Sequence, residues 1–204
     1  MDNNTPRAVE KIFTLRVSLD GSSPEIWRRF QMADNMTLRD LHSALQIVMG
    51  WEDCHLHEFE MKGRRYAAPA PDDSLCECED NDERETSLRD VLRRKGQKIK
   101  YTYDFGDGWE HTILVEATGS PEEGVHYPVC LGGERACPPE DSGSLWGYYS
   151  KLKVPENPND ENYGGIKERM RSDFDPDAFS IDKVNEALKD FNERCFWEED
   201  EEWE

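Results

Sequence analysis

Two period-two segments facing each other across a glycine turn constrain this chain most. In QKIKYTYDF and WEHTILVEA, joined around Gly106-Asp107-Gly108, polar and apolar residues alternate as they do when successive side chains point to opposite faces of a strand. That pattern predicts an antiparallel hairpin. Trp109, His111, Ile113 and Val115 share one face of the second strand, while Glu110, Thr112, Leu114 and Glu116 share the other, so that His111 reads as a partly buried histidine satisfied by a carboxylate or carbonyl. A third alternating segment, IFTLRVSL, puts Phe13, Leu15, Val17 and Leu19 on one buried face, and the short aromatic IWRRF reads as an extended partner for it.

Helical segments punctuate the strands. Leu38, Leu41, Leu45 and Val48 recur at helical spacing behind a Thr37/Asp40 capping box, and Gly50 ends that helix. His42 lies beside the apolar stripe and reads as a packing residue. Ser87 with Asp90 repeats the capping pattern ahead of a short helix ending at Gly96. A further helix is expected over Leu145–Leu152, with Glu140 and Asp141 near its amide end, and a last one is capped by Ser180 with Ile181, Val184, Leu188 and Phe191 inward. The expected fold class is α+β: an antiparallel sheet packed with a few helices in a single compact domain over residues 1–204.

Composition narrows the function classes. A net charge of -20 on 204 residues opposes a phosphate backbone or an anionic membrane surface. No apolar run reaches membrane-spanning length and MDNNTPRAVE lacks a secretory pattern, so the chain reads as soluble and cytoplasmic, its six cysteines as free thiols. Residues 69–86 form an acidic insert expected to be mobile, and the acidic end at 198–204 is expected to fray, with Trp203 available to dock on a partner. Cys76 and Cys78 in the insert make a CxC pair that cannot close a tetrahedral metal site alone.

The segments IWRRF, TLRDLHSALQIVMGW, HLHEF, YTYDFGDGWEH, YPVCLGGERACPPEDSG, WGYY and FDPDAFSIDKVNEAL together resemble the plasmid pRiA4b ORF-3-like family, from about Ile12 to Leu188. The resemblance implies an α+β domain with an antiparallel sheet and an association with mobile elements. The acidic CxC insert departs from the family pattern.

Three function classes follow. In the first, the chain is a binding or regulatory module with a protein partner, contacted through Trp51, Trp109, Trp146 and Tyr148. The second is metal-based. Its zinc form draws on His55, His57 or His111 with Cys130 and Cys137, the two histidines of HLH being expected to face the same way on a strand. Its enzyme form is a metal-dependent hydrolase in which Asp104, Asp107, Glu140 and Asp141 supply oxygen ligands, as for magnesium, or a general base near His111. No P-loop, HExxH, GxSxG or Rossmann glycine pattern supports another enzyme class. The third, disfavoured by net charge, is nucleic-acid contact through Arg28, Arg29, Arg64 and Arg65.

Overall fold

The computed structural model describes residues 8–68, 81–153 and 174–191. Eight strands form one sheet: β1 Ile12–Leu19, β2 Trp27–Ala33, β3 His57–Met61, β4 Arg64–Ala67, β5 Asn81–Asp82, β6 Lys98–Tyr103, β7 Trp109–Gly119 and β8 Val129–Glu134. Their spatial order is β5-β4-β3-β6-β7-β1-β2-β8, antiparallel throughout except for β4 with β5. Four helices pack with it among the described residues: α1 Leu38–Met49, α2 Leu88–Val91, α3 Ser144–Lys153 and α4 Ile181–Lys189.

The alternation seen in the sequence becomes a sheet with one dry face. Residues directly opposite one another across antiparallel strands share a face. The pairs Phe59 with Tyr101, Tyr101 with His111, Val17 with Ile113 and Leu15 with Phe30 carry the buried face across four strand boundaries. All are at most 1% exposed. The other face is wet and salt-bridged: Arg16 meets Glu25 at 2.7 Å, Arg29 meets Glu116 at 2.5 Å, and both guanidiniums flank the Trp27 ring.

α1 lies on the dry face because its apolar stripe has nowhere else to go. Leu38, Leu41, Ala44, Leu45 and Val48 are each at most 1% exposed, a burial of about 1.5–3 kcal/mol for each large side chain. The expected caps are present. Thr37 Oγ1 accepts from Asp40 N at 3.1 Å, Asp40 Oδ2 accepts from Thr37 N at 2.7 Å, and Gly50 closes the helix at φ 94°. Ser87 likewise donates to Asp90.

Residues 69–80 of the acidic stretch, with Cys76 and Cys78, lie outside the described residues, as do Cys195, Trp203 and the 198–204 tail. The end of the stretch differs from a solvated loop. Asn81–Asp82 add β5 to the sheet, and Glu83 is 0% exposed because His57 takes its carboxylate. No helix among the described residues is long and apolar enough to cross a membrane.

Candidate metal centre

Three loops meet at one end of the sheet: Trp51–Leu56 after α1, the turn Asp104–Gly108 between β6 and β7, and Pro138–Gly143 ahead of α3. Each junction is held by a specific bond. Trp51 Nε1 donates to Pro138 O at 3.0 Å, Asp104 N donates to Leu56 O at 2.9 Å, and Gly143 N donates to Asp107 Oδ2 at 2.8 Å. Gly147 permits the last loop to fold onto α3, since a Cβ there would stand 2.3 Å from Ser142 O.

His55 sits where the loops converge. Its Nε2 lies 3.7 Å from Asp104 Oδ2, 3.7 Å from Glu140 Oε2 and 3.6 Å from Asp141 Oδ1. Two of these carboxylates have their other oxygen already occupied. Asp104 Oδ1 accepts from Gly106 N at 2.9 Å, and Glu140 Oε1 accepts from Glu52 N at 3.0 Å and from the Tyr103 hydroxyl at 2.9 Å. What remains is one oxygen from each, aimed at the imidazole. His55 Nε2 and Glu140 Oε2 are both buried and have no hydrogen-bond partner.

The spacing is informative. A charge-assisted hydrogen bond would draw nitrogen and oxygen to about 2.7–2.9 Å. Two donors each about 2.1 Å from a common ion at tetrahedral angles stand about 3.4 Å apart, close to the separations around His55. The loops also hold Asp104 at φ 53° and Asp141 at φ 54°, a left-handed backbone that aspartate tolerates better than most residues. Asp141 is 84% exposed at its side chain, so the cluster opens to solvent on that side.

The other expected site residues are placed elsewhere. β3 begins only at His57, so His55 is a loop residue and the two histidines of HLH do not share a strand face. His57 turns into the core, stacks on His42 at 3.4 Å with an interplanar angle of 8°, and bonds Glu83 Oε2 at 2.8 Å. His42 bonds Asp53 at 2.6 Å and the Tyr101 hydroxyl at 2.9 Å. An ion in the plane of one stacked ring would lie well out of the plane of the other. The pair therefore serves as a buried hydrogen-bond network.

His111 is 1% exposed, edge-on to Trp51, and donates from Nδ1 to Tyr101 O at 3.3 Å. Cys130 and Cys137 are buried near Arg28, and burial pushes both thiols up. No cluster of candidate metal ligands among the described residues includes His111, Cys130 or Cys137. Asp107 braces the α3 loop through Gly143 instead of joining the cluster. Glu140 and Asp141 are turned toward His55, away from the helix-end role their sequence position suggested.

The basic residues do not form one surface. Arg28 is 2% exposed and Arg29 is paired with Glu116, while Arg65 lies 3.6 Å from Glu58 and Arg64 stands on β4. β4 and β2 are five strand positions apart, about 24 Å. Of the aromatics expected at a protein-contact groove, Trp51, Trp109 and Tyr148 are buried and Trp146 is 80% exposed.

Burial holds His42 and His111 neutral, each pushed down to about 4, with the Asp53 bond partly opposing the shift at His42. The unfolded chain takes up these protons near pH 6.5 and the folded chain only near 4, so their contribution is whole above 6.5 and is lost as pH falls between those values. At pH 5 the expected loss is about 2 kcal/mol per histidine. Urea unfolding of His111→Phe at pH 7.5 and pH 5 should show a pH dependence smaller by one histidine's share; an unchanged dependence would contradict this assignment.

Residues 11–183 match the model of the family described as plasmid pRiA4b ORF-3-like protein. The chain belongs to that family. It is 36% identical over 184 residues to the uncharacterized protein y4hQ of Sinorhizobium fredii (strain NBRC 101917 / NGR234), a match covering 89% of this chain and 93% of that one. It is also similar to the crystal structure of the protein of unknown function MM3350 from Methanosarcina mazei Go1, with a TM-score of 0.78 and 39% identity over 87% of this chain and 99% of that one.

Several residues of the centre escaped sequence reasoning. Glu52 and Tyr103 orient Glu140, and Asp53 holds His42. Cys54 stands between them, its amide donating to the Tyr103 hydroxyl at 3.1 Å. The one available signal was the run EDCHLH, five metal-capable or titratable residues just past a helix stop.

Proposed function

We propose that this protein is a metal-dependent hydrolase whose divalent ion is held against His55 and Glu140, with Asp104 and Asp141 at the open side and Asp141 as general base. The observation that carries this reading is the buried, unpartnered His55 Nε2 with three carboxylate oxygens at 3.6–3.7 Å. Three carboxylate oxygens gathered around an imidazole nitrogen that has no hydrogen bond form a donor set that a divalent cation would complete.

A bound ion supplies a water of lowered pKa and a Lewis acid for a carbonyl or phosphoryl oxygen. The chain's own residues do the rest. Tyr103 and the Glu52 amide fix Glu140 by one oxygen and leave the other for the ion. The Gly106 amide likewise fixes Asp104 by one oxygen, with the other turned to His55. Asp141, on a solvent-open loop, accepts the proton of the attacking water. Asp107 keeps that loop in place, and His111 supports the floor beneath Trp51.

The test is turnover of p-nitrophenyl acetate, p-nitrophenyl phosphate and bis(p-nitrophenyl) phosphate by the full chain after chelation and after re-addition of zinc, manganese or magnesium. Turnover of one of them should return only with metal, and Asp141→Asn should lower kcat by about a hundredfold or more while metal content stays. Chelator-insensitive turnover, or metal binding with no turnover of any of the three, would reject the hydrolase.

A further inference from the structure

We infer that Cys54 supplies a thiolate to this centre, so that the ion selected is zinc or another borderline divalent cation with affinity for sulfur, in place of magnesium or calcium. The inference rests on the metal reading above and extends it to a residue and a metal class.

Two sets of candidate ligands overlap at His55. Cys54, His55 and Glu140 offer atoms within 4.8 Å of one another, and so do His55, Asp104 and Asp141. An ion seated in the first set meets the imidazole nitrogen, one carboxylate oxygen and one sulfur, and a fourth tetrahedral position stays open to water. With zinc to sulfur at about 2.3 Å and zinc to nitrogen or oxygen at about 2.1 Å, tetrahedral donors stand about 3.6 Å apart. Closing from 4.8 Å to that separation takes at most about 1.2 Å of side-chain motion.

Cys54 is free to make that motion. Its side chain is exposed, and the contact described for its sulfur is a weak one with the Tyr103 hydroxyl at 3.8 Å. Its backbone is not free. Cys54 N donates to the Tyr103 hydroxyl at 3.1 Å, and that hydroxyl donates to Glu140 Oε1 at 2.9 Å, so one phenol fixes both the thiol's anchor point and a carboxylate ligand. The buried Nε2 of His55 and Oε2 of Glu140, each without a hydrogen-bond partner, point independently to a ligand between them.

The chemistry selects the ion. Magnesium and calcium take oxygen ligands and gain nothing from a thiol, whereas a mixed nitrogen, oxygen and sulfur set suits zinc or cobalt. On binding, the Cys54 S–H bond breaks, its electron pair goes to the ion and its proton goes to solvent. One proton is released for each thiol bound.

Cobalt(II) is the probe. The wild-type chain loaded with cobalt should show a near-ultraviolet sulfur-to-cobalt charge-transfer absorption, which Cys54→Ser and Cys54→Ala lose while keeping visible d–d bands. Cys54→Ser should weaken zinc about tenfold or more and leave manganese within about twofold. Cobalt bound in a His55-dependent manner without the charge-transfer band, or a band surviving in both Cys54 variants, would overturn the inference and leave the metal reading standing. Cobalt binding indifferent to His55→Ala would overturn both.

Discussion

His55→Ala is expected to weaken zinc binding by at least about a hundredfold without unfolding the protein. The two effects separate because the side chain is 28% exposed and its Nε2 has no hydrogen-bond partner, so its removal leaves no internal bond of that nitrogen broken. In thermal melts, zinc at about 100 times the wild-type dissociation constant should stabilise the wild-type chain by about 2.7 kcal/mol and the variant by at most about 0.4 kcal/mol. Calorimetric titration gives the affinities directly. His57→Ala provides the contrast: the ring is buried against Glu83 and His42, so its loss should lower stability and spare zinc affinity. The opposite pattern, with His57 governing affinity and His55 indifferent, would move the centre into the core.

Arg28→Met is expected to cost about 3 kcal/mol of stability. Arg28 Nε donates to Val48 O at 2.7 Å, and its Nη1 donates to Trp27 O at 2.8 Å and Glu134 O at 2.9 Å. Val48 O belongs to the last turn of α1, whose carbonyls lack partners within the helix, so this cation completes a helix end inside the protein. Phe179 covers the guanidinium at 4.6 Å. Methionine fills similar volume but removes the donors to three carbonyls, and the relief of burying no charge offsets only part of that. Arg29→Met, which removes a pair on the wet face, should cost less than about 1 kcal/mol. Urea midpoints of the two variants make the comparison, and near-equal values would refute the buried role of Arg28.

What the sequence disclosed was what local rules govern. The face shared by Trp109, His111, Ile113 and Val115 follows from period two, and the Thr37 box with Gly50 marks α1 at both ends; the buried face and the caps match. The α+β class followed from those elements. The site depended on longer-range facts. Whether His55 and His57 point together turns on where β3 starts, and the chain leaves α1 through a left-handed Asp53 at φ 55° before that strand begins. Residues 52–55, 104 and 140–141 meet only after the sheet has brought three loops to one end, so Glu140 and Asp141 look like helix-capping acids in sequence. Glu83 was hidden in an acidic stretch because composition does not reveal that one carboxylate has a buried histidine waiting for it. Arg28 and Arg29 are adjacent in sequence yet take opposite faces of β2, so a basic pair in a strand overstated the exposed charge.

The most direct measurement is the metal content of untagged protein purified without chelator, wild type beside His55→Ala, by elemental mass spectrometry with native mass as a check on stoichiometry. One zinc or similar divalent ion per wild-type chain, absent from His55→Ala and from chelated protein, is the predicted result. A folded wild-type chain that carries no ion and takes none up from added zinc, manganese or magnesium would contradict the metal centre and the hydrolase built on it.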